Sequence, residues 1–380
     1  MMTIQPNNGF EKYICDKAAR EKVPISGSIE LLPICNMDCK MCYIKTSVSE
    51  MNKIGKPLSV EKWIEIVKEL KDNGTLFLLL TGGEPLLYQG FKELYQAISS
   101  MGIIVTINTN GTLINDQIIA LFKENPPRRV NVSLYGASKE TYQKVCGYGA
   151  GFEQTMNAIE KLVENNIPVK INFTLNKHNQ NDLFKVIEIT ERLNIPISTP
   201  TYMFPPVRKI KDNKHFNEHR LSAKEAARIQ YQLAKYSIKE NPNDIESVKA
   251  TLAKIDPKNF DFKSSDMPSG FLCAAGVRSF WINWRGILSP CGMMENPNCN
   301  LNEISFKEGW EYIKNKSNDI CLSLECYNCR FRNICQNCGA SSFAETGKTD
   351  NVVAYHCNLC QEYEKLLKKL VKEVEDNENK

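Results

Sequence analysis

The sequence predicts an α/β fold in which a parallel sheet forms a partial barrel and a small cysteine-rich domain follows. Short apolar runs alternate with helix-like runs over the first half of the chain, and cysteines are concentrated in the last third. Alternating strands and helices are typical of a parallel sheet with outer helices. Six such units, rather than eight, indicate an open (β/α)6 barrel.

Six apolar runs are predicted to form the strands of this sheet. Strands buried on both faces of a parallel sheet have nearly continuous apolar sequences, without strict alternation. The predicted strands are Ser28–Pro33, Thr75–Leu80, Ile103–Asn108, Arg129–Leu134, Val169–Leu175 and Ile195–Pro200.

Amphipathic helices are predicted between the strands. In Val60–Lys71, the residues Ile64, Val67, Lys68 and Leu70 recur at helical spacing and predict the inward face. A charged C-terminal helix is expected to pack on the second domain through its leucines. The other predicted helices are Phe10–Glu21, Phe91–Ser100, Asp116–Lys123, Lys139–Val145, Phe152–Asn165, Asp182–Leu193, Ala223–Lys239, Asp244–Lys254 and Glu362–Glu375.

The composition excludes several classes of protein for this chain. The chain has 380 residues, is 42% hydrophobic and carries a formal net charge of +4, with acidic and basic residues mixed. No basic stripe points to nucleic acid, no apolar run is long enough to span a bilayer, and the polar N-terminus predicts no secretory signal. Fifteen cysteines in such a chain favour metal binding over disulfides. We therefore expect a cytoplasmic protein with no nucleic-acid or membrane partner.

The run CNMDCKMC places three cysteines, Cys35, Cys39 and Cys42, in one loop after the first strand. Thiolates are soft ligands that suit iron–sulfur clusters and zinc. A structural zinc site normally has four protein ligands. Three ligands leave one iron of a [4Fe–4S] cluster open to a small molecule, so the loop predicts such a cluster more strongly than a zinc knuckle.

A second motif, Thr81-Gly82-Gly83-Glu84-Pro85, ends the second predicted strand. Paired glycines permit close approach of a ligand to the backbone, and Glu84 offers a carboxylate for an ammonium group. Because loops at the carboxyl ends of barrel strands carry the chemistry, both motifs are expected at one edge of the sheet.

Together the two motifs resemble those of the radical S-adenosylmethionine (SAM) superfamily, with its three-cysteine loop and its GGEP strand end. The resemblance implies a [4Fe–4S] cluster held by the three cysteines and SAM bound to that cluster. It also implies that Gly82, Gly83, Glu84 and Pro85 hold the methionine part of SAM. Further SAM contacts are implied for Met41, Tyr43 and Ser133. Many relatives have the sequence Ser-Leu-Asp-Gly at this point, whereas this chain has Tyr135 where they have the aspartate.

A second group of cysteines occupies the last third of the chain. The block CYNCRFRNICQNC is followed by a final pair. Taken alone, this pattern also fits a zinc ribbon. Beside the first two motifs it resembles the SPASM extension of radical SAM enzymes, which holds up to two auxiliary [4Fe–4S] clusters. The cysteines of this field are Cys273, Cys291, Cys299, Cys321, Cys326, Cys329, Cys335, Cys338, Cys357 and Cys360.

The resemblance assigns these cysteines to two clusters. A far cluster would be held by Cys326, Cys329, Cys335 and Cys357. A cluster nearer the active site would be held by Cys273, Cys291 and Cys338. Its fourth ligand is left open between Cys360, Cys299 and a substrate thiolate. The remaining thiols, Cys15, Cys146 and Cys321, are expected to be buried or spare.

The predicted organisation has five parts. An N-terminal extension covers 1–28, the barrel 29–208, a helical bridge 209–262, the SPASM domain 263–361 and a C-terminal helix 362–380.

The implied activity is reductive cleavage of SAM to a 5′-deoxyadenosyl radical, followed by hydrogen abstraction from a peptide or protein. Thioether or carbon–carbon cross-linking of a ribosomally made peptide is the favoured outcome, with a flavodoxin or ferredoxin as electron donor. An anaerobic sulfatase maturase and a small-molecule radical oxidoreductase or epimerase are the alternatives. A cluster-binding interaction module is the alternative that is not an enzyme. The substrate, the bond formed, the acid–base residues and the oligomeric state are not predicted.

Overall fold

The computed structural model describes residues 9–206, 213–255 and 270–378. The predicted domain boundaries at 208/209 and 262/263 lie outside the described residues.

The six predicted strands form one parallel sheet, and their order follows the chain from β1 at the centre to β6 at the edge. All five residues of β1 and of β2 are buried, as expected for strands covered on both faces. The strands are β1 Ser26–Glu30, β2 Phe77–Thr81, β3 Ile104–Thr109, β4 Arg129–Ser133, β5 Val169–Asn172, β6 Ile197–Ser198, β7 Ser279–Ile282, β8 Ile287–Ser289 and β9 Cys299–Asn300.

The helices confirm most of the sequence predictions. They are α1 Gly9–Glu21, α2 Val48–Ile54, α3 Val60–Asp72, α4 Phe91–Ser100, α5 Asp116–Glu124, α6 Lys139–Cys146, α7 Gly151–Glu164, α8 Leu183–Arg192, α9 Asn213–His219, α10 Ala223–Glu240, α11 Ile245–Ala253, α12 Phe306–Ser317, α13 Leu324–Tyr327, α14 Gly339–Thr346 and α15 Ala354–Glu378.

The inward face of α3 differs from the prediction in one turn. Trp63, Ile66, Val67 and Leu70 are the buried residues of this helix, whereas Lys68 is exposed. Val67 and Leu70 are thus buried as predicted, and Trp63 and Ile66 are buried where Ile64 and Lys68 were expected.

The sheet does not end with the barrel. Strand β7 pairs in parallel with the free side of β1, and β8 and β9 continue antiparallel to give nine strands. The Phe280 ring lies where a side chain on Gly27 would stand, with ring carbons 2.2 Å from an ideal Cβ. The Trp281 indole Nε1 donates to the Glu30 carboxyl at 2.6 Å. The cysteine-rich region therefore begins as a continuation of the barrel sheet.

The last helix begins earlier than predicted, at Ala354 instead of Glu362. Both Cys357 and Cys360 therefore lie on this helix and not in a loop before it. Helix α15 packs along α10 and α11, where Leu367 and Leu370 form an apolar cluster with buried side chains of α11. Earlier in the same helix, Cys360 packs with Phe331 and Glu364 accepts from Arg330, so the helix packs on the cysteine-rich region as well as on the helical bridge. No helix among the described residues is both long enough and apolar enough to cross a bilayer.

Candidate active site

The three-cysteine loop follows β1, and the Gly-Gly-Glu-Pro loop follows the neighbouring strand β2. The two loops are joined by main-chain hydrogen bonds, from Gly83 N to Leu32 O at 2.7 Å and from Glu84 N to Ile34 O at 2.9 Å. Because β1 and β2 are parallel neighbours, both motifs reach the same carboxyl edge of the sheet, as the sequence predicted.

The glycine pair lies against the main chain that leads into the cysteine loop. An ideal Cβ on Gly83 would stand 2.1 Å from the Ile34 carbonyl oxygen, and one on Gly82 2.5 Å from the Leu32 carbonyl oxygen. Gly82 also has a φ of 147°, which disfavours other residues. On the side where a Cβ would project, the two glycines thus give room to the main chain that leads into the cysteine loop.

Glu84 is fully buried and bonded within the protein. Its Oε1 accepts from the Thr109 hydroxyl at 2.8 Å and from Leu86 N at 3.1 Å, and its Oε2 accepts from Asn110 N at 2.8 Å. Burial raises the pKa of Glu84 to about 7, against the opposing effect of these donors. The carboxyl group therefore joins the ends of β2 and β3.

Asn110, directly after β3, connects the end of that strand to the cysteine loop. Its Nδ2 donates to Asn36 Oδ1 at 2.8 Å and lies 3.6 Å from the Cys35 sulfur. The Thr155 hydroxyl donates to the Asn110 carbonyl at 2.9 Å. The side chain of Asn110, which is 5% exposed, thus fixes the start of the loop from the next strand.

The three loop sulfurs are half-buried and have different surroundings. Burial raises the pKa of Cys35 to about 12. The Cys146 thiol, hydrogen-bonded to the Cys39 sulfur, lowers the pKa of Cys39. Cys146 was expected to be buried or spare. It is fully buried and lies beside the middle cysteine of the loop.

Four other residues were predicted to contact SAM, and they lie in or near the loop. Met41 is half-buried and packs on the main core, and Tyr43 packs against the cluster that contains Cys291. Ser133 ends β4 and is half-buried beside β5. Pro85 begins a short 3₁₀ turn directly after Glu84. These residues all lie at or beside the carboxyl edge of the sheet.

The near group of cysteines comes together in the structure. Cys273, Cys291 and Cys338 share one apolar cluster with Phe271 and Ala340. Burial raises the pKa of Cys291 to about 12 and that of Cys273 in the same direction.

The far group lines a cavity of about 200 Å³ between α13 and α15. Hydrogen bonding from the Cys360 thiol lowers the pKa of Cys335 to about 7. The cysteines that line the cavity are Cys326, Cys329, Cys335, Cys357 and Cys360.

The two candidates for a fourth near ligand lie elsewhere. Cys360 lines the far cavity. The Cys299 sulfur lies 3.0 Å from an ideal Cβ on Gly309 of α12 and packs on the main core. Burial raises the pKa of Cys299 to about 11. Among the described residues, the near group is therefore a three-cysteine set.

The donor sets fit iron–sulfur clusters better than single metal ions. No three His, Cys, Asp or Glu side chains of the described ranges converge as they would on one ion. Each thiolate of a cluster binds a separate iron, so its ligands stand further apart than those of zinc. All-thiolate ligation in partly buried sites suits such clusters.

Residues 29–189 match the radical SAM superfamily by sequence, and this range contains both motifs of the site. The part of the chain that contains the site is therefore similar to the radical SAM superfamily. This similarity implies a [4Fe–4S] cluster and SAM as cofactors.

Two curated proteins resemble most of this chain. The sporulation killing factor maturation protein SkfB of Bacillus subtilis (strain 168) is 27% identical over 312 residues, which cover 81% of this chain and 69% of SkfB. The AdoMet-dependent heme synthase of Methanosarcina barkeri (strain Fusaro / DSM 804) is 24% identical over 330 residues, which cover 84% of this chain and 92% of the synthase.

Solved structures share the fold of this chain over nearly its whole length. Streptococcus suis SuiB bound to S-adenosylmethionine has a TM-score of 0.65 at 15% identity and covers 94% of this chain and 82% of its own. Native anSMEcpe with bound AdoMet and Kp18Cys peptide has a TM-score of 0.69 at 18% identity, and the match covers 93% of this chain and 99% of the anSMEcpe chain. At these identities the likeness establishes the α/β fold, with its predominantly parallel sheet.

Sequence reasoning missed two residues of the site. Tyr135 was noted only as a departure from relatives, and Cys146 was set aside. Both side chains lie near Cys39 and lower the pKa of its thiol. The local sequence gives no signal for these contacts, because they form between segments separated by about a hundred residues.

Proposed function

We propose that this chain cleaves SAM reductively and abstracts hydrogen from a peptide or protein substrate. The observation that carries the proposal is the joining of the loop that contains Cys35, Cys39 and Cys42 to the Gly-Gly-Glu-Pro loop at one sheet edge. In this proposal the three thiolates hold a [4Fe–4S] cluster and leave one iron for SAM.

The cluster, when bound, supplies the electron that converts SAM to methionine and a 5′-deoxyadenosyl radical. The chain's own residues position the reactants and exclude water. Glu84 and Asn110 hold the loops in register, and Gly82 and Gly83 allow those loops to pack. Pro85, Met41, Tyr43 and Ser133 are proposed to border the SAM cavity.

The two further cysteine groups are proposed to hold auxiliary clusters. The near group, Cys273, Cys291 and Cys338, leaves one iron open for substrate or another ligand. The far group offers Cys326, Cys329, Cys335 and Cys357, with Cys360 as a fifth thiol in the same cavity.

Peptide modification is supported by the likeness to SkfB, whose name describes a maturation protein, over 81% of this chain. A thioether or carbon–carbon cross-link is the proposed product. A flavodoxin or ferredoxin is the proposed electron donor, and the cytoplasm, where thiols stay reduced, is the proposed location.

A second candidate is a radical reaction on a small molecule. It is favoured by the alignment to an AdoMet-dependent heme synthase, which covers 92% of that protein. The two candidates differ in substrate and not in the use of SAM, so the same first experiment precedes both.

That experiment measures 5′-deoxyadenosine from anaerobically reconstituted, dithionite-reduced protein given SAM. The wild type is expected to form 5′-deoxyadenosine and to bind about four iron atoms per cluster. A variant with Cys35, Cys39 and Cys42 all changed to Ala is expected to lose cleavage and to retain auxiliary iron. Cleavage by that variant, or zinc in place of iron in the wild type, would overturn the proposal. Wild-type product formation with candidate peptides or with a tetrapyrrole would then separate the two substrate classes.

A further inference from the structure

Asn337 is a buried side chain among the cysteines of the far group. It stands between Cys335 and Cys338 in the sequence, is 3% exposed and lines the same cavity of about 200 Å³ as the far cysteines. Its main-chain nitrogen donates to the Cys335 sulfur at 3.4 Å. Its side-chain Nδ2 donates to the Cys326 sulfur at 3.6 Å. One residue therefore donates hydrogen bonds to two sulfurs of the group.

The two hydrogen bonds come from different parts of Asn337. The bond to Cys335 uses a main-chain donor, which every residue except proline has. The bond to Cys326 uses the side-chain amide, which reaches from the loop before α14 to a cysteine on α13, eleven residues earlier in the chain. The bond to Cys326 therefore depends on the identity of the side chain at this position.

The first turn of α14 fixes the direction in which this amide faces. The Asn337 Oδ1 accepts from the Ser341 hydroxyl at 2.9 Å and from the Ser342 hydroxyl at 3.2 Å, and both serines are fully buried. An amide oxygen can only accept and an amide nitrogen can only donate. Because the oxygen is held by two hydroxyls, the nitrogen faces Cys326. The reverse orientation would place oxygen against sulfur and leave a buried donor without its acceptor, which is costly.

The bond from Asn337 to Cys326 is compatible with iron ligation. A cysteine bound to iron is a thiolate, which has no proton and can only accept. The amide nitrogen remains a donor whether the sulfur is protonated or not, and a bond to a charged acceptor is stronger than a bond to a neutral one. Hydrogen bonds to cluster sulfurs are among the factors that set reduction potentials. A donor here stabilises the more negative, reduced cluster and so favours reduction.

We propose that Asn337 is a positioning residue whose side-chain amide donates a hydrogen bond to the Cys326 sulfur in the holoenzyme and raises the reduction potential of the far cluster. This inference rests on the proposed function, because it requires an auxiliary cluster held by the far group. Ser341 and Ser342 act indirectly, since their hydroxyls orient the amide.

The first test is an anaerobic EPR titration of holoenzyme with dithionite. The far signal is isolated by subtracting the spectrum of a variant in which Cys326 and Cys329 are both Ala. Asn337→Leu has a side chain of similar shape, lacks the amide donor and keeps the main-chain bond to Cys335. Its far midpoint potential is expected to be more negative. The reduction equilibrium should shift about tenfold, which is ~59 mV for a one-electron couple.

A second measurement detects the hydrogen bond itself. Protein labelled with ¹⁵N at the asparagine side-chain amides is reduced and studied by electron spin-echo envelope modulation. The variant in which Cys35, Cys39 and Cys42 are all Ala serves as the background, because Asn110 Nδ2 lies 3.6 Å from the Cys35 sulfur. A ¹⁵N coupling to a reduced cluster is expected in this background, and adding Asn337→Leu is expected to remove it.

Matched controls separate the hydrogen bond from packing. Asn179 is 1% exposed, and its Nδ2 donates to the main-chain carbonyls of Tyr135 and Thr174 at 3.2 and 3.0 Å. Asn179→Leu therefore removes a buried amide that is bonded to no sulfur, and the far potential should stay that of wild type. Ser342→Ala removes one of the two orienting hydroxyls and is expected to shift the potential in the same direction as Asn337→Leu, by a smaller amount.

The outcomes distinguish this inference from the proposed function. An unshifted far potential in Asn337→Leu at wild-type iron content, or a ¹⁵N coupling that survives the substitution, would overturn the inference alone. An equal shift in Asn179→Leu would also overturn it, because a general change in packing would then be the cause. A wild type that forms 5′-deoxyadenosine without a far signal would overturn the auxiliary cluster and this inference together. A far signal without 5′-deoxyadenosine would contradict SAM cleavage and leave the inference standing.

Discussion

At the scale of single residues, the buried Glu84 carboxyl group organises the edge of the sheet. Its three donors belong to the loops after β2 and β3, so one side chain sets the distance between those loops. A buried carboxyl group that is fully hydrogen-bonded rigidifies its surroundings, and its ionisation is opposed by desolvation.

The stability of the protein is expected to depend on pH through Glu84. Because burial raises its pKa from 4.5 to about 7, the native state binds a proton that the unfolded chain has lost. Wild-type stability relative to Glu84→Gln should therefore fall as pH rises from about 4.5 to about 7, by about 3 kcal/mol at most. Anaerobic urea midpoints of both proteins at pH 5, 6 and 7.5 measure this. A difference that stays constant with pH would contradict it.

Gly83→Ala is expected to displace the cysteine loop. The new methyl group would stand 2.1 Å from the Ile34 carbonyl oxygen, which is main chain and has little freedom to move. We expect SAM affinity to fall at least about tenfold, or ~1.4 kcal/mol, as measured by anaerobic equilibrium binding. Gly9→Ala has nothing within 4 Å of its Cβ and should bind as wild type does.

At the scale of elements, helix α15 joins the far cysteine group to the helical bridge. Arg330, within the four-cysteine block, donates from Nη1 and Nη2 to the two carboxylate oxygens of Glu364 at 2.8 and 2.6 Å. The paired geometry fixes orientation as well as distance. This ion pair lowers the pKa of Glu364 to about 2, so the carboxylate is charged at neutral pH.

Arg330→Lys is expected to loosen the block from α15, because an ammonium group cannot form both bonds in one plane. Unfolding free energy should change by no more than about 1 kcal/mol, since Arg330 is 42% exposed. Iron retained by the far group should fall, up to about four atoms per chain. Lys368→Ala removes the other cation on Glu364, at 2.9 Å, and should retain full iron.

The elements that sequence predicted best are those with local signals. Strand β3 and helix α4 are found within one residue of their predicted ends, because apolar runs and amphipathic spacing are properties of a short segment. Strand β7 was missed, since its four residues become a strand only by pairing with β1. The start of α15 was missed because Cys357 and Cys360 were assigned to the SPASM domain and the helix was predicted to begin only at Glu362. The contact of Cys146 with Cys39 depends on the packing of α6, so the sequence near either residue gives no signal for it.

At the scale of the whole molecule, the nine-stranded sheet joins the barrel to the cysteine-rich region. The junction between β1 and β7 includes the hydrogen bond from Trp281 to Glu30, between side chains that are 3% and 0% exposed. A bond to a buried carboxyl group contributes more than one between neutral groups.

Trp281→Phe is expected to lower the unfolding free energy by about 2–3 kcal/mol, because it removes the donor from a buried carboxyl group and shrinks a core side chain. Trp310→Phe removes a bond to the neutral Lys22 carbonyl at 3.0 Å and should cost about half as much. Urea unfolding of the two variants under identical anaerobic conditions compares them. An equal loss of unfolding free energy in Trp310→Phe would contradict the expectation that the bond to the Glu30 carboxyl group contributes more than the bond to the Lys22 carbonyl.

The pairing of β7 with β1 also has a consequence for electron tunnelling. Cys35 follows β1, and Cys291 follows β8, which is bonded to β7. Cys35 and Cys291 are therefore connected through strands of one hydrogen-bonded sheet. Since tunnelling rates fall steeply with distance, redox centres held by these two thiols would exchange electrons across a continuous sheet and not across a flexible linker.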